Sequence, residues 1–242
     1  MKKVILFLSV IGSALLMTSC LGDTENYHAG SPLSYITSTD LGVTYAKTVD
    51  GFVMTSPKIQ LEGEPGSFAF VTYSWKESEN TIREDGIYNA TVTQISDPLE
   101  KGYLALSEAP EARESEPLLE SFQQVLYGTS YFDYHWIFGY SYKKGDGDKK
   151  MLTFYCNPAE MGDNEIVVDI RLTDGYGTIE KDQTDILVAV DFKNIHDHYV
   201  SSLSQGEQKN LKVYFRYYQK KSNGALELYK SQQSYTMPII KE

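Results

Sequence analysis

Ile166-Val167-Val168-Asp169-Ile170-Arg171-Leu172 decides the fold. Its even positions are aliphatic, while Asp169 and Arg171 fall between them, so an extended chain presents one apolar and one polar side. That is the pattern of a strand with one buried face. Ile186, Val188, Val190 and Phe192 repeat it. Working outward, alternating runs rich in Val, Ile, Tyr, Phe and Thr recur at 44–49, 52–55, 67–75, 87–95, 131–142, 151–156, 211–219 and 226–235, separated by Gly, Asp, Asn and Pro. The spacing predicts an all-β protein. Lys143 to Lys150 reads as a hairpin turn around Asp146-Gly147-Asp148, and Asn223-Gly224 as another. Two stretches look helical: 115–126, with Leu118, Leu119, Phe122 and Val125 behind Pro117, and a single turn at 198–204. Neither has the place of a crossover between parallel strands, so a doubly wound sheet is not expected.

The 242 residues carry 22 Lys and Arg against 33 Asp and Glu, a formal charge of −11. Such a balance opposes binding to nucleic acid, where cations must replace condensed counterions, so no nucleic-acid partner is expected. With 41% hydrophobic and 13% aromatic residues the chain has enough apolar surface for a packed core. Residues 96–116, which include Pro98, Pro110 and several glutamates, read as a connection, and the division is expected near 105.

Lys2 and Lys3 precede an apolar run from Val4 to Met17, too short for the ~30 Å hydrocarbon core of a bilayer at ~1.5 Å per helical residue. It reads as a secretory signal covering 1–19. The run ends Met17-Thr18-Ser19-Cys20, which resembles the lipobox of bacterial lipoproteins. The resemblance implies acylation of Cys20, a tether over 20–30, and a membrane partner reached through lipid alone. Asp23 and Glu25 resemble the export signal of surface lipoproteins. With Cys20 modified, Cys156 has no partner for an intramolecular disulfide. Leu152, Phe154 and Cys156 share a face, so Cys156 is expected to be a buried, inert thiol.

The aromatic run 131–142 sets Phe132, Tyr134, Trp136, Phe138, Tyr140 and Tyr142 on one side of an extended chain. Phe132, Trp136 and Phe138 are too apolar for solvent and are expected in the core, with the phenols of Tyr140 and Tyr142 at a wet rim. In 213–218, Val213, Phe215 and Tyr217 alternate with Tyr214, Arg216 and Tyr218, the composition of a binding surface. Tyr140, Tyr142, Tyr214, Arg216 and Tyr218 therefore form the expected binding surface.

Other chemistry is thin. His196 and His198 share one side if the segment is extended, but neither His28 nor His135 is near enough in sequence to supply a third ligand, so a loop is expected and no metal site. Asp146-Gly147-Asp148 lacks the rest of a calcium loop. Glu165 and Asp169 read as surface charge and not as a hydrolytic acid pair. There is no G-x-S-x-G elbow, no H-E-x-x-H and no Walker loop, and neither a catalytic residue nor a cofactor is expected.

Lipobox, tether and then Thr44-Tyr45-Ala46-Lys47-Thr48-Val49-Asp50-Gly51-Phe52-Val53-Met54-Thr55-Ser56-Pro57 resemble the NigD-like lipoproteins of anaerobic gut and oral bacteria. So do the runs 67–75 and 87–95, and the pair 166–174 and 186–192. The resemblance implies an N-terminal OB-like β-barrel over 31–105 and a C-terminal antiparallel β-sandwich over 106–242. It brings no catalytic residues. The expectation is an outer-membrane lipid-anchored protein, periplasmic or surface-exposed, that works by binding a protein or glycan partner, with the ligand left open, and is not an enzyme. The alternative is a glycan-binding accessory protein of a polysaccharide-uptake system.

Overall fold

The structure, a computed structural model, describes residues 27–76, 86–112, 118–126, 128–142, 149–174, 186–220 and 225–241. Cys20, residues 1–19 expected as a leader, Asp23, Glu25, Asp146-Gly147-Asp148 and Asn223-Gly224 lie outside the described residues. The chain divides into two compact units, one up to Leu99 and one from Glu100. Both are β-structures built from curled sheets, the barrel and sandwich class expected.

In the first unit the strands are β1 (Tyr27–Gly30), β2 (Leu33–Ser38), β3 (Thr44–Thr48), β4 (Val53–Thr55), β5 (Ser67–Lys76), β6 (Tyr88–Asn89) and β7 (Thr91–Ile95), with helix α1 (Pro57–Glu62) after β4. Their order is β1-β5-β2-β3-β4-β6, and β7 also pairs β5. β5 curls the sheet by changing partner along its length: residues 67–70 pair β2, and Tyr73 to Lys76 pair β1. Between β3 and β4, Gly51 takes φ +88°, a left-handed conformation that glycine adopts without a Cβ clash. α1 begins where Ser56 Oγ accepts the Ile59 N–H at 3.0 Å, with Pro57 in the first turn and Ile59 fully buried. Ile36, Ala46, Met54, Ile59, Ala69 and Val71 form the core.

The second unit contains β8 (Glu100–Ala105), β9 (Leu119–Leu126), β10 (His135–Tyr142), β11 (Lys150–Tyr155), β12 (Glu165–Asp174), β13 (Ile186–Asp191), helix α2 (Lys193–Val200), β14 (Gln208–Lys220), β15 (Leu226–Lys230) and β16 (Tyr235–Ile240). The order is β15-β14-β12-β11-β8-β13-β10-β9, with β16 also on β14. β8 is the hinge of the two leaves. Residues 100–102 pair β13, while residues 103–105 pair β11. At this change of leaf a Cβ on Gly102 would meet Val190 Cγ2 at 2.7 Å and Val188 Cγ2 at 3.0 Å, so only glycine lets the leaves close here.

Several expectations are corrected. Residues 100–105 belong to the second unit, so the break lies before Glu100 and not at 105. The predicted helix 115–126 is strand β9 where it is described, because β10 needs a partner for its outer edge and Phe122 stacks on Phe138 at 5.2 Å. The second sheet is not purely antiparallel: β8 runs parallel to β11 and β13, and β12 parallel to β14. Strands β10 and β11, expected as a hairpin, do not pair, since β8 and β13 lie between them in the sheet; nor do β12 and β13. The turn expected at 198–204 begins within α2, which spans Lys193–Val200.

The interior is aromatic. Trp136 stacks on Phe192 at 4.7 Å, and Phe138 meets Phe154 and Phe215 at 5.1 and 5.2 Å. Phe132 and Tyr134 do not continue the strand face, because residues 130–132 form a 3-10 turn and Asp133 and Tyr134 have φ 51° and 59°.

Candidate functional site

Alternation along β14 sends Leu211, Val213 and Phe215 into the core and leaves Tyr214, Arg216 and Tyr218 half-buried on the outer face. The parallel register with β12 sets Val167 beside Tyr214 and Asp169 beside Arg216. Arg216 donates from Nε to Asp169 Oδ1 at 2.6 Å and from Nη2 to Asp169 Oδ2 at 2.7 Å, a two-pronged match of guanidinium to carboxylate. Its Nη2 also donates to Glu160 Oε2 at 3.1 Å. Hydrogen bonding to Asp169 raises the Arg216 pKa further above its ordinary value, against the opposing effect of burial, and the charges of Asp169 and Glu160 add to the rise.

The neighbouring rows extend the face. Tyr155, Asp169, Arg216 and Lys230 follow one another across β11, β12, β14 and β15. In the next row stand Tyr103, Thr153 and Arg171, with Tyr218 opposite Leu228 on β14 and β15. Lys230 Nζ lies 4.2 Å from the centre of the Tyr214 ring, and the Arg171 guanidinium 4.7 Å from that of Tyr218. Tyr103 is 62% exposed.

Of the expected surface residues, Tyr214, Arg216 and Tyr218 are brought together. Tyr140 and Tyr142 are not: they are 1% and 6% exposed. Their hydroxyls find partners inside, which removes the reason for a phenol to stay wet. The Tyr140 hydroxyl has two acceptors within reach of its one hydrogen, the Lys150 carbonyl at 3.2 Å and Glu100 Oε2 at 3.4 Å, and Tyr142 accepts the Lys150 N–H at 3.0 Å. Burial, then the nearby Glu100 charge, raises the Tyr140 pKa well above its ordinary value.

His196 and His198 do not share a side, because two residues along a helix turn the chain by about 200°. His196 is buried, stacked on Tyr134 at 3.8 Å, with Nδ1 3.1 Å from Asp197; His198 is exposed. His28 lies against Trp75 at 4.7 Å in the first unit, and His135 Nδ1 is 3.0 Å from the Phe132 carbonyl. Among the described residues no group of three or more His, Cys, Asp or Glu is placed to hold a metal. No helix among them is long and apolar enough to cross a membrane. Cys156 is fully buried, and burial, with the charges of Asp169 and Glu160, pushes its thiol up to about 12.

Asp169, Arg171 and Lys230 were missed as parts of this face. For Lys230 the sequence holds one signal: residues 206–242 carry seven Lys and Arg against three Glu, in a chain that is otherwise strongly acidic.

Fold and face together define a two-unit all-β protein whose second unit displays a tyrosine and arginine surface on paired strands. No protein-family model matches the chain, and no curated protein does. Solved structures do. An uncharacterised protein from Parabacteroides merdae ATCC 43184 superposes with a TM-score of 0.59 at 13% identity, covering 91% of this chain and 100% of its own. A NigD-like immunity protein from Bacteroides caccae ATCC 43185 is similar with a TM-score of 0.40 at 11% identity, covering 90% of this chain and 98% of its own. A protein from Bacteroides fragilis NCTC 9343, provisionally described as a lipoprotein, gives 0.47 at 10% identity, covering 85% and 97%. The likeness to the Parabacteroides merdae protein, at 13% identity, speaks to the fold alone.

Proposed function

We propose that this protein is a lipid-anchored lipoprotein of the bacterial cell envelope, held at the outer membrane through Cys20, that works by binding a protein and not by catalysis. Its first unit we read as an OB-type barrel. One observation carries the binding role: Tyr214, Arg216 and Tyr218 stand half-exposed on paired strands, fixed by Asp169, Lys230 and Arg171. Rigid aromatic and guanidinium groups of this kind lose little entropy when a partner covers them. The same geometry disfavours sugar stacking, because cations already occupy ring faces of Tyr214 and Tyr218, and Tyr140 and Tyr142 are inside.

Two measurements test this reading. Growth with a clickable fatty acid, followed by mass spectrometry of the N-terminal peptide, should find lipid on Cys20 and none in Cys20→Ser. An unmodified sulfur in the native protein overturns the anchor. Cross-linking in intact envelopes should capture a protein that is lost from Tyr214→Ala/Tyr218→Ala; unchanged capture overturns the role of this face.

A further inference from the structure

We draw no further inference here: the strongest candidate, the aromatic cluster of the first unit in which Phe52, before β4, meets Tyr73 and Trp75 of β5 and Tyr88 of β6 around a buried Trp75 indole N–H that has no hydrogen-bond partner, carries nothing, because its rings pack on one another with centres 4.8 to 5.4 Å apart and nothing in the structure shows what covers it.

Discussion

Arg216 and Asp169 face each other across the parallel β12 and β14 ladder, joined by two hydrogen bonds of 2.6 and 2.7 Å. Asp169 is 7% exposed, so removing its partner strands a carboxylate away from water. Arg216→Met should cost about 2–4 kcal/mol, below the figure for a fully buried pair because a quarter of the Arg216 side chain remains exposed. Replacing both, as Asp169→Leu/Arg216→Met, should return stability to within about 1 kcal/mol of native, since no charge is then left unpaired. Urea unfolding of both variants checks the contrast; a double variant no better than the single one contradicts it.

Gly102 stands where β8 passes from one leaf to the other, against Val188, Val190 and Phe154. Gly102→Ala forces these side chains apart and should cost about 1–3 kcal/mol by overpacking. Thermal unfolding should show a fall in Tm of roughly 3–10 °C.

Tyr140 is a core residue whose hydroxyl is satisfied internally. Tyr140→Ala should cost about 3–5 kcal/mol, in the range of other buried aromatics, and Tyr140→Phe about 1 kcal/mol for the lost hydrogen bonds. Tyr140→Phe should leave partner capture unchanged while Tyr218→Ala weakens it, which cross-linking in envelopes reads directly.

The Cys156 thiol is raised to about 12 by burial, then by Asp169 and Glu160, against about 8.5 in an unfolded chain. Between those values the unfolded state loses a proton that the folded state keeps. The stability contribution is therefore complete below about pH 8.5 and falls as pH rises, by roughly 1.4 kcal/mol per pH unit for this one group. Tyr73 and Tyr199, both pushed to about 12 mainly by burial, add to the loss above about pH 10. Cys156→Ala should flatten the dependence between pH 9 and 10 in urea titrations. In Cys20→Ser the remaining thiol should react with a chromogenic disulfide only as fast as the protein unfolds.

A strand face is a local property, which is why much of this protein is legible from its residues. Ile166, Val168, Ile170 and Leu172 point inward as their alternation requires, and so do Ile186, Val188 and Val190, with Cys156 among them in the core. The outward set Tyr214, Arg216 and Tyr218 was legible for the same reason. Asp169 was not recognised as the partner of Arg216, because 47 residues separate them and nothing in either strand announces its neighbour.

What the sequence determined by itself is the all-β class, the inward and outward faces of most strands, and the inward place of Cys156. Only the tertiary structure decided which strands pair, that 119–126 is a strand, that β8 joins two leaves, and that Tyr140 and Tyr142 lie inside. The reason is physical. Alternation needs only the geometry of an extended backbone, whereas pairing, burial of a phenol and the meeting of Arg171 with Pro110 depend on surfaces that come together from distant parts of the chain.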